Sequence, residues 1–390
     1  MKAGWLVTTL GEAFITSTGS TPPKSNSDFY GQFMPLVKPP ELCGSTLDSA
    51  EDGLSESGAQ VARTLPPNSI LVSCIGNLGK IGMNTVPVAF NQQINAIHPD
   101  TGKAVPEFMF FQTLGGRFRE QLEAMASGTT VPIVNKSKFN SIEIVLPPLP
   151  EQQRIVTLLD KAFEDIATAT ANAEKNLQNA RAIFESHLQS MFTQRGGGWL
   201  EKSLGDSFKT ATGTTPPKNN SDFYGNFIPL AKPPELCNAP FDTAPDGLSE
   251  AGAEVARTLP AKSILVSCIG NLGKIGMNTV PVAFNQQINA ILPDERLAIP
   301  EFMFFQALSP IFKDQLESMA SGTTVPIVNK SKFNGLRIVL PPLTAQEKTV
   351  GQLETLRDET QRLEAIYKQK LTALDDLKKS LLHRAFNGDL

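Results

Sequence analysis

The stretch EQQRIVTLLDKAFEDIATATANAEKNLQNARAIFESHLQSMF, residues 151–192, decides the fold of this chain. Its apolar residues recur at intervals of three and four, which places them in one stripe along one face of an α-helix. A helix of about 40 residues is roughly 60 Å long at 1.5 Å per residue, far longer than a typical globular helix. A stripe of that length needs an apolar surface of matching length to cover it.

A second stripe of the same kind runs through residues 350–381. The two predicted helices can cover each other as an antiparallel coiled coil, and the alternative is two independent amphipathic helices on separate globular domains. The residues predicted to make the helix–helix contact, and to offer a docking surface to partner subunits, are Ile155, Leu159, Ile166, Leu177, Leu353, Leu363, Leu374 and Leu381.

Composition bounds the class of protein. The 390 residues are 19% charged and 41% hydrophobic, which fits two or three globular domains. No apolar run is long enough to span a membrane and the first residues do not start a signal peptide, so we expect a cytoplasmic protein. The four cysteines form no C-x-x-C pair, which indicates neither a zinc site nor a disulfide framework.

The chain contains one domain twice. Residues 5–149, the first repeat, match residues 199–343, the second repeat, at 108 of 145 positions without a gap. Two repeats this large are two copies of a globular domain and not a solenoid. The predicted boundaries are 1–149 for the first domain, 150–195 for the first long helix, 196–343 for the second domain and 344–390 for the second long helix.

Within a repeat the pattern mixes strands and helices. β-Branched runs predict strands at 69–75, 86–97 and 142–146, and a helical pattern starts at Pro106 and breaks at 115–116. The predicted fold class is α+β: two similar mixed α/β domains joined by two long antiparallel coiled-coil helices.

The sequence offers no catalytic signature. The glycine-rich loop at 76–82 lacks the G-x-x-x-x-G-K-[ST] spacing that binds phosphates, because Ile81 stands where Ser or Thr is required. His98 is replaced by Leu292 in the second repeat, which argues against a catalytic or metal site there. No Pro-Pro pair is followed by the aromatic residue of an amino-methyltransferase motif. We therefore expect a chain that is not itself an enzyme and holds no metal.

Polar residues instead concentrate where acidic residues are missing. The net charge is −4, yet residues 58–99 and 124–142 contain no Asp or Glu. Amides can pair with adenine edges, and Lys or Arg with guanine or phosphate, so these segments predict DNA contact. The alternative is that several amides cap turns and satisfy buried backbone. The predicted DNA-binding residues are Lys24, Arg63, Asn77, Lys80, Asn84, Asn91, Gln92, Gln93, Thr129, Thr130, Asn135, Lys136 and Lys138, with Lys218, Arg257, Asn271, Lys274, Asn278, Asn285, Gln286, Gln287, Thr323, Thr324, Asn329, Lys330 and Lys332.

The order of domains and helices resembles the specificity subunit of type I restriction–modification enzymes. Three details support the resemblance: the segment GTTP at 213–216, the junction LPPLPEQQ at 146–153 and the final segment LLHRAFNGDL at 381–390. The resemblance implies that each repeat is a target recognition domain reading one half of a split site in double-stranded DNA. It also implies that the helices dock two modification subunits, which carry S-adenosylmethionine and methylate adenine. Restriction subunits, which use ATP and Mg²⁺, can join such a complex.

The near identity of the two repeats departs from that family, whose two recognition domains are usually dissimilar. It predicts that both repeats read the same bases and that the target is an interrupted palindrome. Two other roles fit the same sequence: a specificity subunit of a type IIB-like enzyme, and an adaptor scaffold that does not bind DNA.

Overall fold

A computed structural model describes residues 4–128, 130–194, 197–322 and 324–390. The chain forms two compact units, one of residues 1–173 with 369–390 and the other of residues 174–368. No helix in the described ranges combines the length and the apolar character needed to span a membrane.

The first repeat consists of short elements. Its strands are β1 (Leu6–Thr9), β2 (Ile15–Thr18), β3 (Tyr30–Val37), β4 (Ser45–Leu47), β5 (Gly53–Leu54), β6 (Thr64–Leu65), β7 (Ile70–Ser73), β8 (Ile81–Asn84), β9 (Val88–Phe90), β10 (Ile94–His98) and β11 (Glu143–Leu146). Its helices are α1 (Leu10–Ala13), α2 (Glu56–Val61), α3 (Pro106–Leu114), α4 (Gly116–Ala124) and α5 (Lys136–Asn140), and the long helix α6 (Leu149–Thr193) follows.

The second repeat has the same elements in the same order. Its strands are β12 (Leu200–Ser203), β13 (Lys209–Thr212), β14 (Tyr224–Ala231), β15 (Ala239–Phe241), β16 (Gly247–Leu248), β17 (Thr258–Leu259), β18 (Ile264–Ser267), β19 (Ile275–Asn278), β20 (Val282–Phe284), β21 (Ile288–Leu292) and β22 (Arg337–Leu340). Its helices are α7 (Leu204–Ser207), α8 (Glu250–Val255), α9 (Pro300–Leu308), α10 (Pro310–Ser318) and α11 (Lys330–Asn334), and the long helix α12 (Leu343–Asn387) follows.

The described residues of each repeat form three sheets. In the first repeat a five-stranded sheet has the order β2-β10-β7-β8-β4, a four-stranded sheet the order β5-β3-β9-β6, and β1 pairs with β11. The second repeat has the equivalent three sheets. The strands of the five-stranded sheet all precede helices α3 and α4 in the sequence, and the two helices pack on the sheet, which confirms the predicted mixed α/β domain. The prediction missed the two-residue strands β5 and β6 of the four-stranded sheet.

The long helices complete the cores of both units. In the first unit Leu159 of α6 and Phe386 of α12 belong to the same hydrophobic core as Phe108 of α3. In the second unit Phe192 of α6 and Leu353 of α12 share the core of the second repeat. The prediction that Ile155, Leu159 and Leu353 offer a docking surface is therefore wrong, because burial of 99% or more against the repeats hides their side chains.

The helix segments are antiparallel within each unit, as predicted. In the first unit the Arg154 guanidinium donates to the Leu390 carbonyl at 2.8 Å, and farther along α6 the Lys378 ammonium lies 5.0 Å from the Phe163 ring. In the second unit the Arg181 guanidinium lies 3.1 Å from the Glu364 carboxylate. Of the other predicted contact residues, Ile166, Leu177, Leu374 and Leu381 are half-buried and Leu363 is exposed.

One aromatic contact is equivalent in the two units. The ring of Phe192 lies 5.5 Å from that of Phe302, and the ring of Phe386 lies 5.2 Å from that of Phe108, both edge to face. Phe192 and Phe386 are nearly buried and end the two long helices. The end of α12 therefore completes the core of the first repeat, and the end of α6 completes the core of the second repeat.

Truncating either phenylalanine should destabilise one unit only. We expect Phe386→Ala to lower the free energy of unfolding of the first unit by about 3–5 kcal/mol, and Phe192→Ala to do the same to the second, because each leaves a cavity in a closed core. Hydrogen exchange followed by mass spectrometry measures both units in one sample. Equal loss of protection in both units for either variant would contradict the separate cores.

The cysteines should differ in reactivity by position. Burial raises the pKa of the Cys74 and Cys268 thiols to about 12, whereas Cys43 and Cys237 are exposed. Since the thiolate is the nucleophile, we expect iodoacetamide at pH 8 to alkylate only the exposed pair in the native chain and all four after denaturation. Peptide mass spectrometry identifies the sites, and rapid native labelling of Cys74 would show that its strand is not packed as described.

Candidate nucleic-acid interface

The strand order brings three loops to one edge of the five-stranded sheet. Strand β10 pairs antiparallel with both β2 and β7, so the ends of β2 and β7 lie beside the start of β10. The loops at that edge are residues 19–24 after β2, 74–80 after β7 and 91–93 before β10.

A fourth loop, residues 126–135, joins them through the main chain of Cys74. The Cys74 N–H donates to the Gln93 carbonyl at 2.8 Å, and the Cys74 carbonyl accepts from the Val134 N–H at 2.9 Å. Two residues farther along the same loop, the Gly76 N–H donates to the Pro132 carbonyl at 3.0 Å. We call these four segments, without Thr129, the loop cluster of the first repeat; residues 213–218, 268–274, 285–287 and 320–329, without Thr323, form its counterpart with the same bonds.

Glycine is required where the loops approach most closely. A Cβ on Gly19 would lie 2.1 Å from the Asn91 carbonyl oxygen and 2.4 Å from that of Phe90, which no side chain can tolerate. Gly76 has a φ of +78°, in the left-handed region that other residues rarely occupy. The loops therefore close on each other only with these residues.

Side-chain hydrogen bonds hold the loops further. The Thr18 hydroxyl donates to the Asn95 side-chain oxygen at 2.6 Å, and the Thr21 hydroxyl donates to that of Gln92 at 3.0 Å. The Arg63 guanidinium donates to the Thr18 carbonyl, and the backbone N–H of Arg63 donates to the Ser20 hydroxyl at 2.8 Å. The cluster is thus fixed before any ligand arrives.

The charge of the loop cluster is positive although the chain is negative overall. Its four segments contain Lys24 and Lys80 and no Asp or Glu, and Arg63 adjoins them. Exposed amides and hydroxyls surround these cations. A rigid, positive surface rich in hydrogen-bonding groups is suited to a phosphate backbone and to base edges.

The structure brings most of the predicted DNA-binding residues into this cluster or against it. In the first repeat they are Lys24, Arg63, Asn77, Lys80, Gln92, Gln93, Thr130 and Asn135; in the second, Lys218, Arg257, Asn271, Lys274, Gln286, Gln287, Thr324 and Asn329. Gln93 and Gln287 are half-buried, as are Lys80 and Lys274, and the others are exposed. Thr129 and Thr323 lie outside the described residues.

Two asparagine positions do not belong to such a surface. Asn84 is fully buried at the far end of β8, where its amide donates to the Pro66 and Val86 carbonyls and its oxygen accepts from the Ser69 N–H. The prediction that Asn84 and Asn278 contact DNA is wrong, because both are buried and bond the same backbone groups.

Asn91 and Asn285 are also wrong as DNA contacts. Each is more than 90% buried. Its side-chain amide donates to the side-chain oxygen of the glutamine two residues later, and its side-chain oxygen accepts from the backbone N–H of that glutamine. These asparagines shape the turn that presents their neighbours. Asn91 and Asn285 therefore fit the alternative interpretation of the sequence, in which an amide side chain satisfies buried backbone groups.

Helix α5 places the remaining predicted cations beside the cluster. The Asn135 side chain caps this helix by accepting from the Lys138 N–H, and the Lys138 ammonium donates to the Met125 carbonyl at 2.9 Å. Lys136 is exposed, and burial together with its charge lowers the pKa of His98 on β10. Lys330 and Lys332 occupy the same places on α11.

Sequence reasoning missed two exposed aliphatic residues in the cluster. Val131 and Ile133 flank Pro132 and are 47% and 40% exposed, and their counterparts Val325 and Ile327 are 47% and 39% exposed. Both pairs lie within residues 125–140 and 319–334, which are identical in the two repeats, but an aliphatic residue in a loop offers no hydrogen-bonding group that would predict a DNA contact.

Comparison with known proteins identifies the family. The chain belongs to the family of the type I restriction modification DNA specificity domain, whose pattern matches residues 2–177 and again residues 197–373. This confirms the resemblance stated from the sequence, and the expectation of a specificity subunit and not a catalytic one agrees with it.

Individual relatives carry the same description. The HindI specificity subunit of Haemophilus influenzae is 36% identical over 202 residues, which are 50% of this chain and 42% of that protein. The MjaIX specificity subunit of Methanocaldococcus jannaschii is 22% identical over 99% of this chain and 93% of its own.

Two solved structures share the fold. One, from work on complex assembly and conformational transition of the type I R-M system, has a TM-score of 0.85 at 19% identity and covers 100% of this chain and 99% of its own. The HsdS subunit of Thermoanaerobacter tengcongensis has a TM-score of 0.63 at 18% identity and covers 100% of this chain and 98% of its own. The predicted fold class is confirmed.

Lysines in and beside the loop cluster should carry the salt dependence of DNA binding. We expect Lys80→Ala and Lys274→Ala, and likewise Lys136→Ala and Lys330→Ala, to weaken binding to all sequences and to reduce the slope of log affinity against log salt by about one unit each. Titration at several salt concentrations, with partner subunits present, measures this.

The matched control is Lys262→Gln. The Lys262 N–H donates to the carbonyl of Asn278, at the far end of β19, and its ammonium pairs with Glu301 at 3.2 Å. Its slope should equal that of the unaltered chain. Unchanged slopes for all four lysine-to-alanine variants would place the DNA surface elsewhere.

Proposed function

We propose that this chain is the DNA-recognition subunit of a type I restriction–modification system and that each loop cluster reads one half of a bipartite target. The observation that carries the proposal is the composition of the two clusters. They differ at a single position, which is Ser20 in the first repeat and Thr214 in the second. Both hydroxyls accept a hydrogen bond from the backbone N–H of an equivalent arginine, Arg63 or Arg257.

Identical donors and acceptors should read identical bases. Other differences between the repeats lie outside the clusters, for example at 44–47 and 101–103. If the antiparallel helices relate the repeats by a two-fold axis, the half-sites are inverted, as palindromic operators are for dimeric repressors. The target is then an interrupted palindrome with a spacer of fixed length and free sequence.

The proposal gives the helices a second role. Their exposed faces, between the segments buried against the repeats, would dock two modification subunits that bring S-adenosylmethionine and methylate adenine. Restriction subunits that use ATP and Mg²⁺ would join the same complex in the cytoplasm. The family of the chain supports this role, and a type IIB-like assembly would use the DNA-reading surface in the same way.

Genome-wide mapping of methylated adenine in a host that expresses the system tests the target. We expect one motif made of two identical inverted half-sites, absent from a host without this chain. Two unrelated half-sites, or equal ones in direct repeat, would contradict the symmetry argument. A complex that assembles and binds no DNA would favour the scaffold role instead.

Single-repeat variants provide the matched comparison. Gln92 and Gln286 are exposed equivalents, so Gln92→Ala and Gln286→Ala should weaken binding to the palindrome by the same factor. A large defect in only one of them would show that the repeats read different bases.

A further inference from the structure

Each loop cluster presents an apolar ridge in an otherwise polar surface. Its members are Val131 and Ile133 on either side of Pro132 in the first repeat, and Val325 and Ile327 in the second. Each side chain leaves about 40–50% of its surface in water. Exposed aliphatic residues are common on proteins, so exposure alone says little.

The backbone of the ridge is unusually well held for a loop. Ile133 exchanges hydrogen bonds with Ser127, at 2.8 and 3.0 Å, and also pairs with Ile75 of the neighbouring loop. The Pro132 carbonyl accepts from the Gly76 N–H. Valine and isoleucine are branched at Cβ and have few rotamers, so little side-chain entropy is lost when a ligand covers them.

The surroundings of the ridge select its ligand. The ridge belongs to the loop cluster, whose four segments contain two lysines and no carboxylate. Such a setting favours an anionic ligand with an apolar group of its own. In the major groove of DNA the exposed apolar group is the thymine methyl, which small aliphatic side chains contact.

We propose that the ridge of each repeat contacts the methyl group of a thymine in its half-site and so helps to determine specificity. The inference rests on the proposed function and adds the chemical group that is read. Lysines of the cluster supply affinity for any sequence, whereas the ridge supplies discrimination that salt does not screen.

The test removes the methyl group from either side of the contact. The complex of this chain with its modification subunits is titrated with target duplexes in which each thymine of the half-sites is replaced in turn by uracil. We expect one thymine position per half-site at which uracil weakens binding about three- to tenfold.

The same series is repeated with Val131→Ala and Ile133→Ala combined with Val325→Ala and Ile327→Ala. The uracil penalty should vanish at that position, since the two changes remove the same contact, and the salt slope should stay unchanged. Val131→Thr with Val325→Thr keeps the shape of the residue and should lower the penalty without disturbing the loop. Val61 and Val255, on α2 and α8, are each 58% exposed, and Val61→Ala with Val255→Ala should leave the penalty intact.

The inference is overturned if no thymine position is sensitive to uracil, or if the uracil penalty is the same in the alanine variant as in the unaltered chain. In either case the complex still binds and methylates its target, so the proposed function stands. If the unaltered complex binds no DNA, the proposed function itself fails. Loss of modification subunits from the alanine variant would assign the ridge to a protein contact and also overturn it.

Discussion

The main chain of Cys74 is the constraint on which the candidate interface depends. One residue at the end of β7 bonds to two loops that are distant in sequence, through its N–H to Gln93 and through its carbonyl to Val134. Both groups are buried, so losing either bond would strand a polar group away from water. Burial raises the pKa of the Cys74 thiol to about 12. Asn95 adds a second tie, because its oxygen accepts from Thr18 and its amide reaches the Val134 carbonyl.

The sequence was most informative where the signal is long. The stripe through 151–192 predicted α6 to within two residues at either end, and the duplication predicted that one description would serve both repeats. Periodicity could not say what covers a stripe, however. Leu159 and Leu353 follow the same spacing as half-buried Leu177, yet the first two lie in the cores of the repeats. Which surface meets which is a tertiary fact that spacing does not encode.

Short elements and amides were beyond sequence reasoning for a related reason. Strands of two residues such as β5 and β6 exist because β3 and β9 are there to pair with them, not because of their own propensity. Asn84 and Asn77 look alike in the sequence, since both are asparagines in residues 69–97, which are identical in the two repeats. Only the fold reveals that the first serves the backbone and that the second is exposed.

Most positions at which the two long helices still agree are positions where they meet the repeats. Aligned at the repeat offset, 151–192 and 345–386 agree at only 8 of 42 positions. Five of these are Gln152, Val156, Leu159, Leu188 and Phe192 with their counterparts, all of which pack on or bond to a repeat. The buried Gln152 is the clearest case, because its side chain bonds the Val105 N–H and the Lys103 and Pro147 carbonyls. The helices can vary along their length provided that these contacts between helix and repeat persist.

The joint made by Phe386 has a consequence for synthesis of the chain. The first repeat leaves the ribosome first, but its core includes Leu382, Ala385 and Phe386, which are translated almost two hundred and forty residues after the repeat itself. Until then the side of the core around Phe108 that α12 covers in the finished chain stays exposed. The second repeat has no such wait for α6, since that helix precedes it. The nascent chain therefore carries an open apolar surface through most of its translation, a period in which chaperone protection matters more for the first repeat than for the second.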